Sequence, residues 1–328
     1  MRPGPIVRRL ITLSVMFTPA LGVTGAPVAT TSSAPAAPDE TEIHKRLAET
    51  YDKAGQADKA VAEYVRVADL CSQAGNHALA AQALQRATEL TPGDAKLRLR
   101  LATAYFHLKQ YLGTVVQRRV PDGTPGRIAG EYYLLEPVPN RPETWFACPS
   151  SSALYQAQRA LDAGLDDVSA QLLLADIWLE VGRYETALAI YRSIEKRVPP
   201  TEQAVYYFRS AQAALGVDAL DEYLARLGRA VELDPRKYAS TLADAHATVA
   251  QRCSRRGDLE GFIRHLELAA KAAPDSPDLH YRLGNAYWEA NRRQEAARHW
   301  QIALELQPDH PDRERILGRL RDAAPHKD

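Results

Sequence analysis

The stretch from Pro277 to His310 constrains the fold more than any other. It is thirty-four residues long and reads as two helical patterns joined by a turn. Leu283, Gly284 and Tyr287 fall about one helical turn apart, so they share a face of a first helix. Ala296, Trp300 and Ala303 make the matching face of a second. Asn291-Arg292-Arg293 is the turn, and Pro308 ends the unit because proline cannot continue a helix. Gly284, Ala296 and Ala303 let the two backbones approach, while Tyr287 and Trp300 fill the space beside them. A single helix pair cannot bury both of its faces, so the pattern must recur.

It does recur. Leu47-Ala48, Tyr51, Gly55, Ala60, Tyr64 and Val67 give a first unit. Val67-Ala68, Cys71, Gly75, Ala80, Leu84, Ala87 and Pro92 give a second, so the stretch Ala60–Ser72 serves two registers. A third opens with Leu101-Ala102 and Tyr105 and is completed by Ala153, Ala157 and Ala160. The fourth runs from Leu174 to Pro199 and the fifth from Ser210 to Pro235. Five extra residues, Tyr238 to Leu242, predict a looser junction before the sixth, Val249 to Pro274. The spacing Leu283-Gly284, Tyr287, Ala296, Trp300, Ala303, Pro308 resembles the tetratricopeptide repeat. The resemblance implies an all-α fold, a right-handed α-solenoid of about seven helix pairs with a concave groove, and an expected role as a protein-binding scaffold.

Residues 111–149 break the pattern. Val115–Val120 and Arg127–Leu135 read as two short strands around the turn-rich Pro121-Asp122-Gly123-Thr124-Pro125-Gly126. They predict a small insertion containing a β-hairpin at the inter-helix turn of the third repeat. Pro137, Pro139 and Pro142 follow, and then Trp145-Phe146, read as exposed, and Cys148. Tyr132, Tyr133, Trp145 and Phe146 are too apolar for an idle linker; they either pack on neighbouring helices or meet a partner.

The expected layout follows. Arg2, Arg8 and Arg9 precede an apolar run from Leu10 to Val23, which fits an export signal at 1–26 and an exported, periplasmic or secreted protein. Residues 27–40 form a Pro/Ala/Ser/Thr linker with the composition of disorder. Repeats occupy 41–110 and 150–310, a capping helix 311–322, and a tail 323–328. Lysine plus arginine equals aspartate plus glutamate, 41 each, so no global field recruits nucleic acid or a membrane surface.

The chemistry-bearing motifs point away from an enzyme. There is no phosphate-binding glycine loop ending in Gly-Lys-Ser/Thr, no His-Glu-x-x-His and no cysteine pair at metal spacing, so no cofactor and no metal are expected. Cys71 and Cys253 fill core slots equivalent to Tyr287, leaving Cys148 as the one candidate for an exposed thiol, read first as a packed loop residue and second as a reactive or bridging thiol. A rival reading places an enzyme site between insertion and groove, using Cys148, Glu131 or His107. His246 and His280 are thirty-four residues apart, as are His265 and His299, and His44 shares the first slot. Repeat duplication explains that spacing without a metal.

The groove is the expected binding surface. By the resemblance it presents Phe208 and Gln212, then Gln251 and Arg255, then Tyr281, Asn285 and Trp288. Leu99, Leu172 and Leu179, on the same face, are expected to pack against neighbouring helices. Aromatics and amides at helical spacing suit a peptide held by anchors and backbone hydrogen bonds. Chaperone-binding members of the family clamp a C-terminal carboxylate with Lys, Asn and Arg. Asn285 stands in one clamp slot, but Tyr281 takes the place of the lysine. A second scaffold reading is a structural subunit of an envelope complex for polysaccharide export or outer-membrane assembly.

Overall fold

The computed structural model describes residues 40–323; the expected export signal, and all but one residue each of the expected linker (27–40) and tail (323–328), lie outside them. The chain divides after Arg183 into two compact units. Among the described residues there are fourteen α-helices and one four-stranded sheet.

Unit one begins with α1 (Glu40–Lys53), α2 (Ala57–Gln73) and α3 (His77–Leu90). The shared helix is real: α2 packs on α1 and on α3 and buries Ala60, Tyr64, Val67, Ala68 and Cys71. Asp52, at the end of α1, ties the three together. Arg86 of α3 donates to both its oxygens at 2.6 and 2.9 Å, and the Tyr64 hydroxyl donates at 3.3 Å. Asn76 caps α3 by accepting the Leu79 amide, which satisfies one of the donors a helix start leaves open.

Next come α4 (Ala95–His107), the sheet, α5 (Ala153–Asp162) and α6 (Val168–Glu180). Helices α4 and α5 pack against each other although the strands separate them in sequence. The insertion leaves and returns at one point, where the Ala153 and Leu154 amides donate to the Gln110 and Tyr111 carbonyls at 2.9 and 3.0 Å.

The insertion contains the expected hairpin, Ile128–Ala129 with Tyr132–Pro137, but inside a larger sheet. Its strands are β1 (Val116–Arg119), β2 (Ile128–Ala129), β3 (Tyr132–Pro137) and β4 (Thr144–Pro149), in the order β1-β4-β3-β2. The stretch read as one strand over Arg127–Leu135 is folded into two at Gly130, whose φ of 60° is easy for glycine. The two strands seen in the sequence therefore do not pair with each other, and β4, read as an exposed loop, stands between β1 and β3 and pairs with both. Because strand residues alternate in direction, Tyr133 and Cys148 share one face while Leu134, Trp145 and Ala147 share the other. Tyr133 meets Trp178 of α6 at 6.3 Å between ring centres. Trp145 is covered by the turn: its indole N–H donates to the Val120 carbonyl at 3.1 Å, and a Cβ on Gly123 would fall 2.1 Å from that nitrogen.

Unit two holds α7 (Tyr184–Ile194), α8 (Gln203–Gly216), α9 (Leu220–Leu233), α10 (Pro235–Arg255) and α11 (Leu259–Ala272). It continues with α12 (Pro277–Glu289), α13 (Arg293–Leu306) and α14 (Arg313–Ala323). The five extra residues before the sixth repeat do not loosen its junction. They lengthen α10 to 21 residues, started by Pro235 in the first turn and capped by Asp234, which accepts the Lys237 amide. One apolar core joins Ile263, Leu266, Leu283, Tyr287, Trp300 and Ile316. Trp300 is fully buried, and a Cβ on Gly284 would stand 2.5 Å from its ring, so the glycine is what lets α12 lie on that indole.

Candidate functional site

The last helix is more than a cap. Pro311-Asp312 repeats Pro277-Asp278, and Leu317-Gly318 repeats Leu283-Gly284, in both cases thirty-four residues on. Helix α14 thus stands as the first helix of a further pair, with no second helix after it among the described residues. It continues the face that α8, α10 and α12 contribute to unit two. Equivalent positions on α12 and α14 touch directly. The Arg315 guanidinium donates to the Tyr281 hydroxyl at 3.4 Å, and Arg319 donates to the Asn285 side-chain oxygen at 2.6 Å.

Arg319 is held from several sides. Its guanidinium carbon lies 5.8 Å from the Trp288 ring centre and 5.3 Å from that of Trp300. Arg293 covers Trp288 at 4.7 Å. Ring faces carry negative charge density and suit a flat, weakly hydrated guanidinium. Among the described residues no carboxylate forms an ion pair with Arg319, and Arg315 reaches only Asp312, at 4.0 Å. The sequence reading missed Arg293, Arg315 and Arg319. The signal was available, since adding thirty-four to Tyr281 and to Asn285 gives the last two.

The predicted residues divide. Tyr281, Asn285 and Trp288 come together half-buried on α12. Tyr281 also packs on His310 at 4.9 Å. Gln212 and Gln251 are exposed on α8 and α10. Arg255 is exposed too, but Ser254 is the residue thirty-four before Trp288, so Arg255 stands one position off that row. Phe208 is not a free anchor. The added turn of α10 lays Tyr238 on it with ring centres 4.8 Å apart, and Phe208 packs against the core of Ala211, Leu227 and Ala245. A small cavity of about 160 Å³ opens near Leu215, Tyr223, Asp244, Thr248 and Arg252.

The insertion offers less surface than expected. Tyr133 and Trp145 are buried, at 5% and 9% exposure, because one meets α6 and the turn covers the other. Tyr132 and Phe146 are half-buried, and Arg118 covers Tyr132 at 4.6 Å from its ring centre. Cys148, the one candidate for an exposed thiol, is instead the packed residue of its first reading: it is fully buried, and burial pushes its thiol up to about 12. A buried thiol held protonated is no nucleophile at neutral pH, so the rival enzyme site loses that residue. Cys253, expected in the core, is the half-buried one, while Cys71 is buried as expected.

Among the described residues no helix is long and apolar enough to cross a membrane. Models of the tetratricopeptide repeat match residues 277–310, 68–113 and 150–200. No curated protein matches the chain. Among solved structures it is similar to MamA (residue 41 to its end) from Desulfovibrio magneticus RS-1. The identity is 14% over 76% of this chain and 97% of that one, with a TM-score of 0.39. It is also similar to PilF of Pseudomonas aeruginosa, at 13% identity over 80% and 99% of the two chains and a TM-score of 0.41. YrrB, described as a TPR protein with an unusual peptide-binding site, shows 16% identity over 73% and 99%, with a TM-score of 0.41. With the repeat matched in three places and helix pairs in both units, the chain belongs to the tetratricopeptide-repeat family.

Proposed function

We propose that this protein is a scaffold that binds a partner through a peptide segment lying along the first helices of unit two, with a carboxylate of that segment received by Arg315 and Arg319. The observation that carries the reading is Arg319. Its guanidinium is fixed by Asn285, Trp288 and Trp300 and lacks a carboxylate partner among the described residues. A fixed guanidinium presents paired donors that match a carboxylate, and holding it in place beforehand lowers the entropy cost of binding. The slot filled by lysine in clamping members of the family holds Tyr281 on α12, but α14 brings Arg315 to that tyrosine's hydroxyl. Gln212 and Gln251 add amides that can pair with an extended backbone, and Leu215, 42% exposed, supplies an apolar contact.

The same proposal takes the protein as exported, supported by Arg2, Arg8 and Arg9 ahead of the apolar run from Leu10. Processing in an expressing bacterial host, read by N-terminal sequencing of the product, checks that part on its own.

The binding test uses an immobilised library of random peptides, each with a free or an amidated C-terminus. Free-carboxylate peptides are expected to bind the protein roughly tenfold or more tightly than their amidated twins, and the Arg315→Ala/Arg319→Ala variant to lose that preference. Equal binding of both forms, or an unchanged preference in the variant, would overturn the carboxylate assignment. No binding of any peptide would overturn the groove.

A further inference from the structure

Two pairs of histidines join the helices of the last two complete repeats. His246 of α10 faces His265 of α11 with the Nδ1 atoms 3.2 Å apart. His280 of α12 faces His299 of α13 at 3.0 Å. In the second pair the ring planes lie 16° apart and the ring centres are 5.3 Å apart, longer than the nitrogen separation by about two ring radii. The imidazoles are therefore nose to nose in one plane. That is the geometry of a straight N–H···N hydrogen bond, not of two lone pairs converging on a metal. The His280 Nε2 donates to the Pro274 carbonyl at 2.9 Å, so that nitrogen carries a proton and Nδ1 offers a lone pair. His299 must then supply the shared Nδ1 proton. His246 and His280 are buried, at 8% and 7% exposure.

We propose that each histidine pair is a joint that admits one proton beyond its neutral state and refuses a second, so that moderate acid loosens the repeats built on α10–α13. The first added proton can enter at the outer ring and leave the N–H···N bond intact. A second proton on the pair would set two N–H groups head-on inside a partly buried contact. Unfolding separates the rings and lets all four protonate.

The surrounding charges do not cancel this. Around His265 stand Arg264, which opposes protonation, and Asp258 and Asp221, which favour it. Around His299 the Glu267 carboxylate favours protonation, but that carboxylate already accepts the Tyr287 hydroxyl. Burial, and then the facing imidazole, hold His246 down to about 4. Burial first holds His265 and His299 below the ordinary range as well. Unit one carries the contrasting case in the same repeat slot. His44 faces a carboxylate, Glu63, at 2.5 Å, where a proton creates an attraction.

The sign follows from proton counting. The folded state binds fewer protons than the unfolded state below about pH 6.5, so stability falls as pH falls through that point toward about 4. Each withheld proton lowers the folding equilibrium constant by about tenfold per pH unit in that window.

The experiment measures hydrogen-exchange protection of the α10–α13 amides between pH 7.5 and 5.0, corrected for intrinsic exchange. It compares the full chain with His246→Gln/His280→Gln and with His44→Gln. Glutamine at the inner positions can still accept the outer Nδ1–H, while leaving the outer ring free to charge. Wild type is expected to lose protection by roughly tenfold to a hundredfold per pH unit below 6.5, and the double variant by no more than a few-fold. His44→Gln is expected to track wild type. A double variant that loses protection as steeply as wild type overturns the proposal. So does a folded wild type in which all four ring signals titrate to completion by pH 5.0 in an NMR experiment.

Discussion

The Arg319 guanidinium donates to the side-chain oxygen of Asn285 at 2.6 Å across a separation of thirty-four residues, one repeat. Two positions of identical register, on successive first helices, therefore form one rung of the inner face. The rung matters because each partner positions the other, and Trp288 and Trp300 fix the plane of the charge.

Arg319→Lys separates charge from geometry. Lysine keeps the positive charge but loses the planar fork and its fit to the indole faces. Titration of any carboxylate peptide selected on wild type is expected to weaken by about 1–2 kcal/mol with the lysine, and by more with alanine. Circular dichroism should show the same helix content in all three. Equal affinity of the lysine variant would reduce the site to a bare point charge.

Gly284→Ala tests the closest helix contact. The new Cβ would stand 2.5 Å from the Trp300 ring, so α12 or the indole must move. Overpacking of this kind costs about 1–3 kcal/mol, and Trp300→Ala, which empties the site, about 3–5 kcal/mol. Thermal unfolding followed at the tryptophans ranks the two variants.

The cysteines should separate by accessibility. With Cys148 fully buried, its thiol up to about 12, and Cys71 buried, an aromatic disulfide reagent at pH 7.5 is expected to titrate Cys253 first. The other two should react only on unfolding. Rapid labelling of Cys148, read by peptide mass mapping, would show that the β4 face opens in solution.

Glu222 sets a second pH window, lower than that of the histidines. Hydrogen bonds from Arg192 and then Arg226 outweigh burial and hold its carboxyl at about 2, below the ordinary 4.5. A depressed carboxyl stabilises the fold above its unfolded value and loses that contribution as pH falls. The carboxylate is one-quarter exposed, so Glu222→Gln is expected to cost about 1–2 kcal/mol at pH 7. The gap to wild type should close between about pH 4.5 and about pH 2. Urea midpoints at the two ends of that range check it.

Helix pairing was legible because it rests on local spacing. Leu283, Gly284, Tyr287, Ala296 and Trp300 recur with the helical period, and burial of that face is all the pattern needs. The shared helix α2 was legible for the same reason, since its two faces carry two overlapping registers. Strand pairing was not. Whether Val116–Arg119 pairs with β2 or with β4 depends on contacts far apart in sequence, and Thr144–Pro149 carries no alternation strong enough to mark it as a strand between prolines.

The sequence by itself thus determined the repeat, its period, the break at residues 111–149 and the equivalence of positions thirty-four apart. Only the tertiary structure decided which of those positions remain available. It placed Tyr238 over Phe208, buried Cys148 on the inner face of the sheet, and set Arg315 and Arg319 beside Tyr281 and Asn285. Periodicity is a property of one helix face at a time. Exposure and charge pairing depend on which second element lies across that face, and nothing local encodes that element's identity.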